Sequence, residues 1–281
     1  MKKGLILFLC GILCLNMVGC SKQEKTVEMD YISFGNGKKS FVILPGLSIH
    51  SVMNLKNAIE DAYKDFTDEY TVYVFDRAKN IEKGYTIEDM ASDTAIKMKA
   101  LNIENADIFG ASQGGMIAEY LAIEYPELVH SMVLGSTLAK TNDTFDAVVD
   151  TWIDLAKKND EDALLESFVN LVYSKSTIDA YHDTLISSNK GISGEEYERF
   201  IILASACKNF DCSKQLKEVQ CPVLVIGSEG DHIVTVEGSK QISKILDCDM
   251  YLYDSNYGHG VYDEASDYKQ RCLDFFNSVK Q

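Results

Sequence analysis

Apolar positions along the chain follow two alternating rhythms. Short continuous runs at Ser40-Phe41-Val42-Ile43-Leu44, Tyr70 to Asp76, Ala106-Asp107-Ile108-Phe109, His130 to Thr137, Cys221 to Gly227 and Asp249 to Tyr253 have the length of strands, several of them buried on both faces. Between them lie stretches with helical spacing: residues 52 to 66, with Val52, Leu55, Ala58, Ile59, Ala62, Tyr63 and Phe66 on one side, then Ile87 to Leu101, Met116 to Ala122, Val236 to Leu246 and Tyr268 to Val279. This alternation predicts right-handed βαβ units and a mostly parallel sheet covered on both faces, a doubly wound α/β domain. Ahead of the first run, Asn36-Gly37 is a two-residue hairpin signal, so residues 27 to 44 are expected to open as antiparallel strands.

The rhythm breaks at about Lys140. From there to about Cys207 only helical patterns occur. Phe145, Val148, Val149, Trp152, Ile153 and Ala156 share one face, and Leu164, Leu165, Phe168, Val169, Leu171 and Val172 form a second stripe. Ser193 with Glu196 makes a capping box before Tyr197, Phe200, Ile201 and Ala204. The chain therefore divides into a core of residues 27–139 and 208–281 interrupted by a helical cap at 140–207, whose apolar stripes are expected to serve chiefly as core.

Candidate chemistry starts at Gly110-Ala111-Ser112-Gln113-Gly114-Gly115, between a strand and a helix. A serine with glycine two residues to either side, in that setting, is the pattern of a nucleophile elbow, whose tight turn strains the serine backbone. A serine hydroxyl needs an adjacent base oriented by an acid, and ligands of open parallel sheets bind at the carboxyl ends of strands. Downstream, Asp231 follows one strand through Gly227-Ser228-Glu229-Gly230, and His259 follows the next within Tyr257-Gly258-His259-Gly260. The order Ser112, Asp231, His259 is the one that accompanies a nucleophile elbow, with Glu229 as the alternative acid. His130 lies at the wrong end of its strand, His182 falls in the cap, His232 adjoins the acid and His50 begins the first helix.

These residues resemble the α/β-hydrolase fold family, specifically its lidded single-domain serine hydrolases. The resemblance covers about residues 40 to 280 and rests on Leu44-Pro45-Gly46, Asp76-Arg77, Tyr85 to Met90, the Ser112 elbow, Gly227 to Asp231 and Gly258-His259. It implies that Ser112 attacks an acyl carbonyl, His259 relays the proton, Asp231 orients it, and the backbone N–H groups of Leu47 and Gln113 hold the oxyanion. The family commonly has His-Gly where this chain has Pro45-Gly46, a change expected to spare main-chain donors but to alter how that loop is braced. The substrate class implied is a small ester, thioester, lactone or amide. Acyl transfer, cofactor-free peroxidation, a catalytically silent binding module and a proline-type aminopeptidase remain alternatives. No His-Glu-x-x-His or Walker pattern occurs, and neither a metal nor a nucleotide cofactor is implied.

The amino terminus changes where the chemistry is expected to happen. Lys2 and Lys3 precede an apolar run from Gly4 to Leu15, too short to span a membrane as a helix but suited to a secretory signal. It ends in Met17-Val18-Gly19-Cys20, which resembles the bacterial lipobox. Residues 1–19 are thus expected to be a signal peptide, Cys20 the lipidation site, and 20–26 a tether holding the protein at the outer face of the cell membrane. The net charge of −16 becomes −18 when residues 1–19, with two lysines and no acid, are removed. So acidic a surface argues against nucleic acid and anionic headgroups as partners. Of eight cysteines, Cys207, Cys212, Cys221, Cys248 and Cys272 lie in the folded part, open to either a disulfide or buried free thiols.

Overall fold

The computed structural model describes residues 26–280. Seven strands, β1 (Met29–Phe34), β2 (Lys39–Leu44), β3 (Tyr70–Ala78), β4 (Ala106–Ala111), β5 (Val129–Gly135), β6 (Val223–Ser228) and β7 (Asp249–Tyr253), form one sheet in the order β1-β3-β2-β4-β5-β6-β7. All neighbours are parallel except β1 and β3. The fold is the mostly parallel doubly wound α/β architecture expected from the alternation.

The expected hairpin between β1 and β2 does not form. β3 lies between the two strands, pairing antiparallel with β1, where Ile32 faces Val74, and parallel with β2. Four consecutive residues of β2, Phe41 to Leu44, are buried, so it needs a strand on either side, whereas β1 buries only Met29 and Ile32 and suits an edge. Residues 35 to 38 cross the start of β3 instead of turning tightly: Gly35 has φ +82°, and a Cβ on Gly37 would lie 1.9 Å from the Glu69 carbonyl carbon.

One face of the sheet is covered by α2 (Ile87–Ala100), α3 (Gln113–Glu124) and α8 (Thr235–Leu246), the other by α10 (Tyr268–Ser278) and residues 52–66. That last segment, expected as one helix, is α1 (Lys56–Ala62) between two 3₁₀ turns. The turns and Tyr63 carry the buried residues Val52, Tyr63 and Phe66 while α1 buries none, so the segment packs on the core through its two ends. A Thr86/Asp89 capping box starts α2.

Between β5 and β6 stand four helices, α4 (Asp143–Lys157), α5 (Glu161–Val172), α6 (Lys175–Ser188) and α7 (Gly194–Ala206), the inserted helical cap. Asn142, Asp160, Ser174 and Ser193 cap their N-termini, the last with Glu196 as the capping box read from the sequence. The two ends of the insertion are tied together at its root, where the Thr141 amide donates to Phe210 O at 3.0 Å and the Cys212 amide to Ala139 O at 2.9 Å. α6 has no separate signal in the sequence because it buries no residue. Among the described residues the five cysteines form no disulfide, and no helix is long and apolar enough to cross a membrane. The signal peptide, the Cys20 lipidation site and most of the tether lie outside the described residues.

Candidate active site

Ser112 occupies the turn between β4 and α3 at φ 51°, ψ −119°, outside the conformations an L residue ordinarily adopts. The turn closes only because its glycines lack side chains: a Cβ on Gly110 would meet Gly114 O at 2.5 Å, and one on Gly114 would meet Leu44 O at 1.8 Å. Its surroundings fix the strained residue from both ends. The Ser112 amide donates to Gly135 O, and its carbonyl accepts from the Gly115 and Met116 amides and from the Thr137 hydroxyl.

Asp231 lies in the loop after β6 and His259 in the loop after β7. His259 Nδ1 donates to Asp231 Oδ2 at 2.8 Å, with the two side chains only 4% and 2% exposed. Asp231 Oδ1 accepts the amides of Ile233 (2.8 Å) and Val234 (3.0 Å). Burial pushes this carboxyl up, but the His259 charge and hydrogen bond and the two amides outweigh it, holding the carboxyl below its usual value. With Nδ1–H committed to Asp231, Nε2 is the basic nitrogen of the ring. Glu229, the alternative acid, is exposed, so Asp231 is the acid that meets His259. The Ser228 hydroxyl, donating to Tyr257 O at 2.5 Å, ties the Asp231 loop to the His259 loop.

Ser112, Gln113, Leu47 and His259 line one cavity of about 380 Å³ between the sheet edge and the cap, within the range of small-molecule sites. The Gln113 amide is the first of α3, among those helix geometry leaves without an intrahelical acceptor. The outer wall comes from the cap: Phe145, Val149 and Trp152 of α4 and Leu165, Phe168 and Val169 of α5, with the Trp152 and Phe168 rings 4.7 Å apart. The two stripes expected chiefly as core thus also face the cavity.

Three contributors were not assigned from sequence. Arg77, buried at the end of β3, donates to Pro45 O (2.5 Å) and through two nitrogens to Gln113 Oε1 (3.2 Å each), while Gln113 Nε2 donates to Leu203 O (2.8 Å) and Cys207 Sγ (3.0 Å) on the cap side. This is how the Pro45-Gly46 loop is braced, and the Asp76-Arg77 dipeptide was its visible trace. His50 lies in the cavity wall, its Nδ1 2.7 Å from Glu196 Oε1 and its Nε2 2.9 Å from Asn189 O, linking core to cap. Asp263, in α9 (Val261–Glu264) four residues beyond His259, also faces the cavity, and no motif announces it. His130, His182 and His232 do not line this cavity. Among the described residues no group of three or more His, Cys, Asp or Glu is placed to hold a metal ion.

Known proteins resemble the chain over most of its length. A family model described as alpha/beta hydrolase fold matches residues 39–266. The chain is 27% identical over 218 residues to a Mycobacterium tuberculosis protein provisionally named a non-heme bromoperoxidase, BpoC, covering 70% of this chain and 78% of that one. It is 22% identical over 218 residues to 3-oxoadipate enol-lactonase 2 of Acinetobacter baylyi, covering 75% of this chain and 78% of that one. Among solved structures it is similar to MGS-M2, an alpha/beta hydrolase enzyme from a Medee basin deep-sea metagenome library, with a TM-score of 0.80 at 22% identity over 90% of this chain and 95% of that one.

Proposed function

Because the chain belongs to the α/β-hydrolase fold family, we propose that it is a serine hydrolase cleaving a small ester, thioester, lactone or amide through Ser112, His259 and Asp231. The observation that carries this reading is the buried His259–Asp231 pair at 2.8 Å, set beside the cavity that the strained Ser112 lines. The Ser112 hydroxyl adds to the acyl carbon as His259 Nε2 takes its proton, while Asp231 holds Nδ1–H and stabilises the imidazolium. The Leu47 and Gln113 amides receive the developing oxyanion, and the arrangement costs no reorganisation if both are held in place beforehand. Collapse expels the alcohol, thiol or amine, protonated by His259. Water, deprotonated by the same nitrogen, then cleaves the acyl-enzyme and restores Ser112.

The size of the cavity and its apolar cap wall favour a short acyl or alcohol group, in keeping with the lactone substrate in the Acinetobacter relative's name. The test is a fluorophosphonate probe and a series of p-nitrophenyl esters of rising chain length on the protein from Ser21 onward, beside Ser112→Ala. Labelling and short-chain turnover should vanish in the variant, and equal labelling of both proteins would remove Ser112 as nucleophile. The same reading places the enzyme outside the cytoplasm, held to the membrane by a lipid on Cys20. Mass analysis of the mature amino terminus tests it, and an unmodified Cys20 would sink it.

A further inference from the structure

Two carboxylates sit side by side after the base loop, and they are used differently. Glu264 accepts the Ser174 amide at 2.8 Å and the Gly258 amide at 2.9 Å, clamping the cap to the His259 loop. The Asp263 carboxylate takes no protein donor within hydrogen-bond or ion-pair distance among the described residues, although its own amide is tied to Gly260 O at 2.8 Å. The nearby Lys269 ammonium, which could have neutralised it, instead donates to Tyr262 O at 2.9 Å and lies over the Tyr63 ring. The Asp263 side chain is open to solvent, but that solvent is the cavity shared with Ser112 and His259. The cavity also holds polar groups such as Ser48, His50, Asn54 and Asn189, but none of them is bonded to this carboxylate, which keeps a vacant place for one donor, and the donor that suits it best is a cation.

We propose that Asp263 is a specificity-determining residue that binds a primary ammonium group of the substrate, so that the preferred substrate is a small ester or amide carrying a free amine beside an apolar group. This rests on the hydrolase reading above and narrows its substrate class. Although the side chain faces cavity water, the protein packed around it desolvates the carboxyl and, offset partly by Lys269 and aided by Glu264, pushes it up to about 6, so the charged form still predominates at neutral pH. Tyr173 and Tyr262, which flank it, add no positive charge.

The test compares an aminoacyl p-nitrophenyl ester with the isosteric ester in which a methyl group replaces the ammonium. Wild type should favour the ammonium ester in kcat/KM, and in Asp263→Asn that ratio should fall by on the order of tenfold or more, the effect of one charge-assisted hydrogen bond. Asp263→Glu should retain a preference for the cation. No preference in wild type, or an undiminished ratio in Asp263→Asn as a folded protein, overturns the proposal. If wild type turns over neither ester, the hydrolase reading fails and calorimetric binding of n-butylammonium decides the matter. Binding to wild type that is lost in Asp263→Asn supports the ammonium site, and equal binding to both, or to neither, refutes it.

Discussion

The Ser112 backbone offers a direct measure of what the nucleophile turn costs the fold. At φ 51°, ψ −119° a residue with a Cβ carries roughly 1–3 kcal/mol of strain, held in place here by the bonds to Gly135 O, Gly115 N, Met116 N and Thr137 Oγ1. Ser112→Ala removes the hydroxyl and keeps the Cβ. Ser112→Gly removes both, relieving the strain but adding about 0.5–1 kcal/mol of unfolded-chain entropy. None of the four anchoring bonds depends on the serine side chain, so they survive in either variant. The glycine variant should therefore exceed the alanine variant in stability by about 0–2.5 kcal/mol, and each kcal/mol raises Tm by about 2–4 °C in a chain of this size. Urea unfolding followed by far-ultraviolet circular dichroism measures it, with both variants inactive toward esters and the probe. A glycine variant less stable than the alanine one by the full ~0.5–1 kcal/mol of chain entropy would mean that the turn stores no strain.

Two further outcomes follow from the same geometry. Arg77→Met leaves Pro45 O and Gln113 Oε1 without their buried donor, so the loop carrying Leu47 and the start of α3 lose their brace. kcat/KM for a short-chain ester should fall by about 10- to 100-fold while Ser112 still accepts the fluorophosphonate, and unchanged turnover would show that the brace is irrelevant to oxyanion geometry. His50 has acceptors at both ring nitrogens, Glu196 and Asn189 O, and only the imidazolium donates to both. Burial lowers its pKa, but the Glu196 and Asn189 bonds, with the charges of Glu196 and Glu161, win and raise it above 6.5. Its stabilisation is complete below 6.5 and lost as pH rises through the raised value. Burial pushes Glu196 up, but the hydrogen bonds from His50 and Ser193 and the His50 charge outweigh it and hold it at about 2 against 4.5, so its share is present above 4.5 and lost only as pH falls toward 2. The latch is thus complete between 4.5 and 6.5. Amide exchange at residues 189–196, corrected for its intrinsic pH dependence, should quicken as pH rises from about 6 to about 9 and lose that response in His50→Gln; equal protection across the range would exclude the latch.

The legible parts of the molecule were those governed by local periodicity or by a fixed rule of sheet geometry. β2 read as a doubly buried strand because its apolar run is unbroken, and Asp231 and His259 could be matched to Ser112 because chemistry gathers at the carboxyl ends of parallel strands. The pairing of β1 was not legible. Asn36-Gly37 is a sound local turn signal, but the need of β2 for two neighbours is a property of the whole sheet, and it prevailed. α6 escaped notice because a helix that buries no residue leaves no stripe to detect. Arg77 and Asp263 escaped for opposite reasons. One matters through long-range bonds to Pro45 and Gln113, the other through a bond that nothing in the protein makes.

The cap and the carboxyl edge of the sheet are joined at residues that carry the proposed chemistry. Gln113 lines the cavity while its side chain binds Leu203 O and Cys207 Sγ on the cap side. The base loop is held in the same way: the Gly260 amide donates to Val172 O at 2.7 Å, and Glu264 bridges Gly258 to Ser174. A displacement of α5 or α7 therefore pulls on the nucleophile turn through one set of bonds and on the base through another. The side chains that shape the pocket and the loops that carry Ser112 and His259 belong to one hydrogen-bonded unit. This coupling also accounts for the difference between Glu264 and Asp263. The first carboxylate is consumed in holding the base loop to the cap, which leaves the second as the charged group of that loop free to meet a substrate.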